Sequence, residues 1–209
     1  MDTTDIWSTI AVERTRLAHL LAGLTEPEWD TPSLCDGWRI RHVAAHVIMP
    51  ATTSRPAMVL EMVRARGNFN RMVDTTARRG GDRPTADILA DFQTHAGSRR
   101  RPPGTTPLDP LMDTLVHSQD IAIPLGRDHP MPVTAGVAVA RHIHGRGFPF
   151  HAARRFAGMT FVATDAQLEL GSGREVRGPV AAIVLTLTGR TALLDRFTGP
   201  GVDHPALNP

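Results

Sequence analysis

The 209-residue sequence has no lysine, no tyrosine and a single cysteine, and aromatic residues make up only 5% of it. One cysteine, Cys35, excludes an intramolecular disulfide and with it the stapled architecture of small secreted domains. No apolar run is long enough to span a bilayer, and no charged-then-apolar leader opens the sequence, so a soluble cytoplasmic protein with no membrane partner is expected. The missing lysine and tyrosine also explain a misleading number, a pI of 9.8 beside a formal net charge of only +2. Almost nothing titrates between histidine and arginine, so the pI lies high without a strong positive field. The one basic run, Arg99 to Arg101, is followed by two prolines and reads as a solvated loop, which sets nucleic acid aside as a partner.

What is present is a chain 41% hydrophobic, enough to bury the core of one domain or of one domain with a small appendage. Trp7, Ile10, Ala11, Leu17, Ala18, Leu21 and Leu24 recur at helical spacing and predict a helix over about Ile6 to Leu24, with Glu13, Arg16 and His19 on its other face. The turn formers of TEPEWDTPSLCDGW end it. A second helix starts near Trp38 or Arg39, carries Ile40, Val43, Ala44 and Val47 on one face with His46 at the edge, and closes at Pro50. Ser54 and Pro56 open the next, which continues through a weak point at Gly67 to the loop ARRGGDRP. Thr85 is the expected N-cap of a helix bearing Ile88, Leu89, Phe92 and Ala96. Beyond Gly126 the texture changes. A helix with Val133, Val137, Ala140 and Ile143 is followed by MTFVATD and QLELG, two strands of a hairpin, then by the helix GPVAAIVLTLTGR and a short helix TALLDRF.

The stretch Asp113 to Asp120, DTLVHSQD, sets three polar side chains on one helical stripe. At about 100° per residue, Asp113 and His117 lie about 40° apart, and Asp120 falls within about 20° of Asp113 on the other side. Leu115, Val116, Ile121 and Ile123 cover much of the remaining circumference, so the helix is read as buried, and a buried carboxylate and imidazole need partners. A divalent ion is one partner, since residues four apart on a helix reach a single ion. Complementing the helix dipole is another role for Asp113. His46 is the candidate third ligand.

PSLCDGWRIRHVAAHV, then DTLVHSQDIAIPLGR, then MTFVATD through GREVRGPVAAIVLTLTGR resemble, in that order, the mycothiol-dependent maleylpyruvate isomerase family within the wider DinB superfamily. The resemblance implies a mainly α fold, a DinB-like four-helix bundle over residues 1–128 followed by a small C-terminal α+β segment over 129–209. It implies three metal ligands. The histidine of the V-A-A-H stretch falls on His46, and the acid-x-x-x-His motif on Asp113 and His117. Two positions depart from the family pattern. The acidic ligand is often glutamate, and Asp113 is one methylene shorter. The Thr-x-x-Asp capping pair that often starts the second helix is replaced by Arg39 and His42, which leaves Asp36 as the expected cap and His42 as a surface residue or an auxiliary ligand.

Three protein ligands leave an open coordination position, the arrangement of a catalytic ion. Zinc is expected, with nickel or iron as alternatives for an imidazole and carboxylate site. The resemblance implies mycothiol as thiol cosubstrate and an isomerisation or thiol transfer on a small electrophile, with maleylpyruvate-like compounds among the candidates, by a monomer or homodimer. The other reading is a metal-bound binding or regulatory module without catalysis. Asp120 is placed behind His117, to orient an imidazole or move a proton, or else meets an arginine at the helix end. Cys35 reads as a packing residue, and Trp29 and Trp38 as core or cleft wall. An acidic substrate would want arginine, for which Arg154, Arg155, Arg174 and Arg177 are available without one standing out.

Overall fold

Asp2 begins the first helix by a reciprocal cap: its carboxylate accepts the Asp5 N–H at 2.8 Å, and the Asp5 carboxylate accepts the Asp2 N–H at 3.2 Å. The structure, a computed structural model, describes residues 1–207. It divides into two compact units, one spanning Asp2–His129 and one beginning at Pro130. The first is helical, with α1 (Thr3–Ala22), α2 (Glu26–Trp29), α3 (Ile40–Thr52), α4 (Arg55–Arg64), α5 (Phe69–Gly81), α6 (Thr85–His95) and α7 (Leu108–Ala122).

Helices α1 and α3 each pack against both α6 and α7, which closes a four-helix ring, and α5 lies along α3. Leu17, Leu21, Trp29, Ile40, Ile48, Ile88, Phe92 and Ile121 fill the centre and are buried. Each such side chain contributes about 1.5–3 kcal/mol on burial, so the bundle rests on its apolar faces. Trp29 is therefore core. Glu13, expected on the outer face of α1, is buried instead, because Arg16 bonds both of its oxygens at 2.8 and 3.0 Å and His129 Nε2 lies 3.5 Å away.

Several helix ends differ from expectation. Pro50 does not close α3, which runs on to Thr52 with the proline in its last turns. Its ring removes the backbone bond that would return to His46, four residues earlier. The stretch after Ser54 is two helices, split where Arg66 and Gly67 take positive φ of 54° and 74°. The ARRGGDRP segment is not a loop throughout, since α5 continues to Gly81. Pro84 is the N-cap of α6, and Thr85 is its first residue.

The second unit contains α8 (Val133–Gly145), α9 (Ala152–Arg155), β1 (Gly158–Ala163), β2 (Glu169–Gly171), β3 (Gly173–Gly178) and α10 (Val180–Leu187), with short 3₁₀ turns at Leu194–Arg196 and Pro205–Leu207. β1 and β2 pair antiparallel with Phe161 opposite Leu170, the expected hairpin. β3, whose GREVRG sequence carries no apolar alternation, pairs parallel to β1 and gives the order β2-β1-β3. Helix α10 packs on α8 at Gly136, where a Cβ would meet Val180 Cγ1 at 2.5 Å. Two C-terminal arginines have partners within this unit: Arg177 pairs with Glu175, and Arg155 lies over the Phe156 ring. Among the described residues no helix is long and apolar enough to cross a membrane.

Candidate metal centre

Helix α3 brings His46, and α7 brings Asp113 and His117, to one place. One ligand atom from each lies within 4.8 Å of the other two. The two imidazoles meet edge to face, with ring centroids 5.0 Å apart and planes at 89°. The pairing follows from the fold: α3 and α7 pack directly, and the four-residue spacing stacks Asp113 and His117 on one stripe of α7. Asp113 and His117 are half-buried, and His46 is 9% exposed.

Around this cluster the walls are specific. Trp38 stands 5.3 Å from the His46 ring in an edge arrangement and donates its indole N–H to Asp74 Oδ1 at 2.8 Å. Trp38 thus stands against the cluster with its indole N–H held by α5. Arg14, on α1, is 1% exposed and donates from NH1 to the Ser98 carbonyl at 3.1 Å. Burial lowers its pKa to about 10, against the opposing pull of the Asp113 carboxylate, so a buried cation sits in the field of a candidate ligand.

His117 Nδ1–H donates to Asp120 Oδ2 at 2.8 Å, and Asp120 is fully buried. Burial works against the imidazolium, but the bonds to Asp120 and then Cys35 outweigh it and raise the His117 pKa to about 10. Cys35 is more than a packing residue. Its Sγ lies 3.1 Å from the same Asp120 oxygen and 3.7 Å from His117 Nδ1. The Cys35 loop is pinned in place by Leu34 N–H donating to the Asp120 carbonyl at 3.2 Å and by the turn in which Trp38 N–H bonds the Cys35 carbonyl at 2.9 Å. The sequence signal was the SLCDGW stretch, part of a segment that carries the family resemblance, but no histidine adjoins it in the chain, and the approach of Cys35 to α7 is tertiary.

His42 is neither a surface residue nor in the cluster. It is buried, and its Nδ1 accepts the Arg39 N–H at 3.2 Å, so the imidazole caps α3 in place of the expected Asp36. Burial, then the neighbouring Arg78 charge, holds its pKa below the ordinary value, which keeps that nitrogen an acceptor. Gly81 closes over it, since a Cβ there would stand 2.5 Å from the His42 ring.

A four-helix ring that gathers an imidazole from one helix and a carboxylate and imidazole from another defines a helix-bundle protein with the donor set of a cation site in its core. Residues 10–110 match the family described as Mycothiol maleylpyruvate isomerase N-terminal domain. That match covers just under half of the chain and marks its N-terminal part as similar to the domain so described. The matched segment contains His46 and Cys35; Asp113, His117 and Asp120 lie just beyond it. Two solved structures share the fold. One is a histidine-to-alanine mutant of the mycothiol-dependent maleylpyruvate isomerase, 13% identical, with a TM-score of 0.69 over 99% of this chain and 96% of that one. The other is the mycothiol-dependent maleylpyruvate isomerase itself, 15% identical, with a TM-score of 0.65 over the same shares. No curated protein matches the chain in sequence.

Proposed function

We propose that this chain is a metal-dependent isomerase or thiol transferase that uses mycothiol on a small electrophile of the maleylpyruvate kind. Addition of the thiol to an activated double bond, rotation and elimination give cis-to-trans isomerisation, and retention of the thiol gives transfer. The observation that carries the reading is the convergence of His46, Asp113 and His117, whose ligand atoms lie within 4.8 Å of one another. The family match over residues 10–110 and the shared fold support the reaction class.

The donor set suits a divalent ion. Two imidazoles and one carboxylate are ligands for zinc, nickel or iron, and three of them leave a position open. Such an ion, when bound, favours the thiolate form of a coordinated thiol, which is the nucleophilic form. The chain's own residues supply the rest. Asp120 accepts the Nδ1–H of His117 and holds the ring in one orientation, so that an ion displaces the proton of the other nitrogen and takes its lone pair. Trp38 covers one edge of His46 and shields that side from water. Arg14 offsets the Asp113 charge from within the bundle.

The test is His46→Ala in the full chain, read by metal content and by mycothiol-dependent isomerisation of maleylpyruvate. The proposal expects loss of both with the helical circular dichroism retained. Retention of metal and turnover together would overturn it, and a metal-loaded protein with no thiol-dependent turnover would make it a binding module.

A further inference from the structure

Cys35, His117 and Asp120 form a second three-atom set around the same imidazole. Their separations are 3.1 Å for Sγ to Asp120 Oδ2, 3.7 Å for Sγ to His117 Nδ1, and 2.8 Å for Nδ1 to Oδ2. Around a tetrahedral ion with a metal–sulfur bond of about 2.3 Å and metal–nitrogen or –oxygen bonds of about 2.0–2.2 Å, ligand atoms stand about 3.4–3.6 Å apart. The Sγ–Nδ1 edge already matches that shell, and the two edges at Asp120 Oδ2 reach it by widening about 0.4–0.6 Å, within the play of side-chain torsions. A thiol needs only one acceptor, yet this sulfur faces a carboxylate oxygen and an imidazole nitrogen at once, and its loop is anchored to α7 through Leu34. Sulfur, nitrogen and oxygen together are the donors that thiophilic divalent ions select.

We propose that Cys35, Asp120 and His117 form a second cation site, selective for a thiophilic divalent ion, which competes with the His46–Asp113–His117 site for one imidazole. The competitive part rests on the function proposed above; the site itself does not. The ion replaces two protons, that of the Cys35 thiol and that of His117 Nδ1, both of which leave to solvent, and it takes the electron pairs they held. The proton of a neutral ring then resides on the other nitrogen, which can no longer serve an ion held by His46 and Asp113. Occupation of one site closes the other, so thiophilic ions act as inhibitors that work through a protein ligand and leave the substrate cleft alone.

The experiment titrates cadmium into the reduced, metal-stripped full chain and follows the ultraviolet thiolate-to-cadmium charge-transfer absorption. Cys35 is the chain's single cysteine, so the band has one source. Wild type is expected to develop the band, and His46→Ala is expected to develop it at lower cadmium because the competing site is gone. Cys35→Ser should show no band while still taking up zinc. Asp120→Asn, which keeps the thiol, should need at least about tenfold more cadmium, as loss of a ligand implies, and it serves if the serine variant does not fold. Cadmium uptake by wild type without the band, or an unchanged titration in Asp120→Asn, overturns the site; identical titrations of wild type and His46→Ala overturn the competition. Failure of the proposed function registers elsewhere, as unaltered zinc content and turnover in His46→Ala.

Discussion

The Nδ1 of His117 and the Oδ2 of Asp120 meet at 2.8 Å, one helical turn apart on α7, with the carboxylate fully buried. This contact separates a histidine that merely lies in the bundle from one held to present its other nitrogen. Asp120→Asn keeps the shape but ends the charged acceptor. The expected result is a fall of about 10–100-fold in zinc affinity, measured by competition with a chelator, with the melting curve still cooperative. Unchanged affinity would mean that Asp120 does not orient a ligand.

His42 and Arg39 carry a different kind of prediction, because the 3.2 Å bond from Arg39 N–H to His42 Nδ1 assigns the imidazole to the helix end. His42→Ala should destabilise the protein by about 0.5–2 kcal/mol, the usual cost of a lost N-cap, as read from chemical denaturation. Zinc affinity should not move. A drop in affinity with stability intact would restore the auxiliary-ligand reading.

Glu28 offers a pH test within the bundle unit. Its Oε2 accepts the Thr25 N–H at 2.8 Å and the Thr25 hydroxyl at 2.9 Å, and its Oε1 pairs with Arg127 at 2.8 Å. The Thr25 backbone bond first, then Arg127, lowers its pKa from 4.5 to about 2. Because the folded value is the depressed one, the stabilisation is fully present above the unfolded value of 4.5 and is lost as pH falls toward about 2. The melting temperature of wild type should exceed that of Glu28→Gln above that range and converge with it on acidification. A gap that does not change with pH would assign the effect to shape instead of charge.

Much of the architecture was legible because it depends on local pattern. The apolar periodicity of Leu17, Leu21, Ile88 and Phe92 marks bundle helices, and the four-residue step from Asp113 to His117 marks a shared face. What escaped depends on neighbours distant in sequence. β3 is recruited by the register of β1 and bears Arg174, Glu175 and Arg177, so alternation could not reveal it. Glu13 is buried through His129, more than a hundred residues away, and the pairing of Cys35 with Asp120 is equally remote. His42 was misread because an imidazole acceptor at a helix start leaves no sequence mark as plain as that of serine or aspartate.

Asp113 carries the last prediction, since its carboxylate is one methylene shorter than the glutamate that the sequence resemblance leads one to expect and it lies in the field of the buried Arg14. Asp113→Glu adds one methylene to a side chain that already reaches the cluster from α7. Extra volume in a packed interior typically costs about 1–3 kcal/mol, unless the site can give way. Asp113 is only half-buried, so the cost should fall at the low end. Zinc should be retained, with affinity within about tenfold of wild type, because the donor type is unchanged. His117→Ala is the contrasting case: it removes a donor, and metal should be lost while the bundle stays folded on its apolar faces. Elemental analysis, melting temperature and thiol-dependent turnover on the three proteins separate the outcomes. If His117→Ala keeps its metal and Asp113→Glu loses it, the ion is held by Asp113 and groups other than His117, and the paired reading of α7 fails.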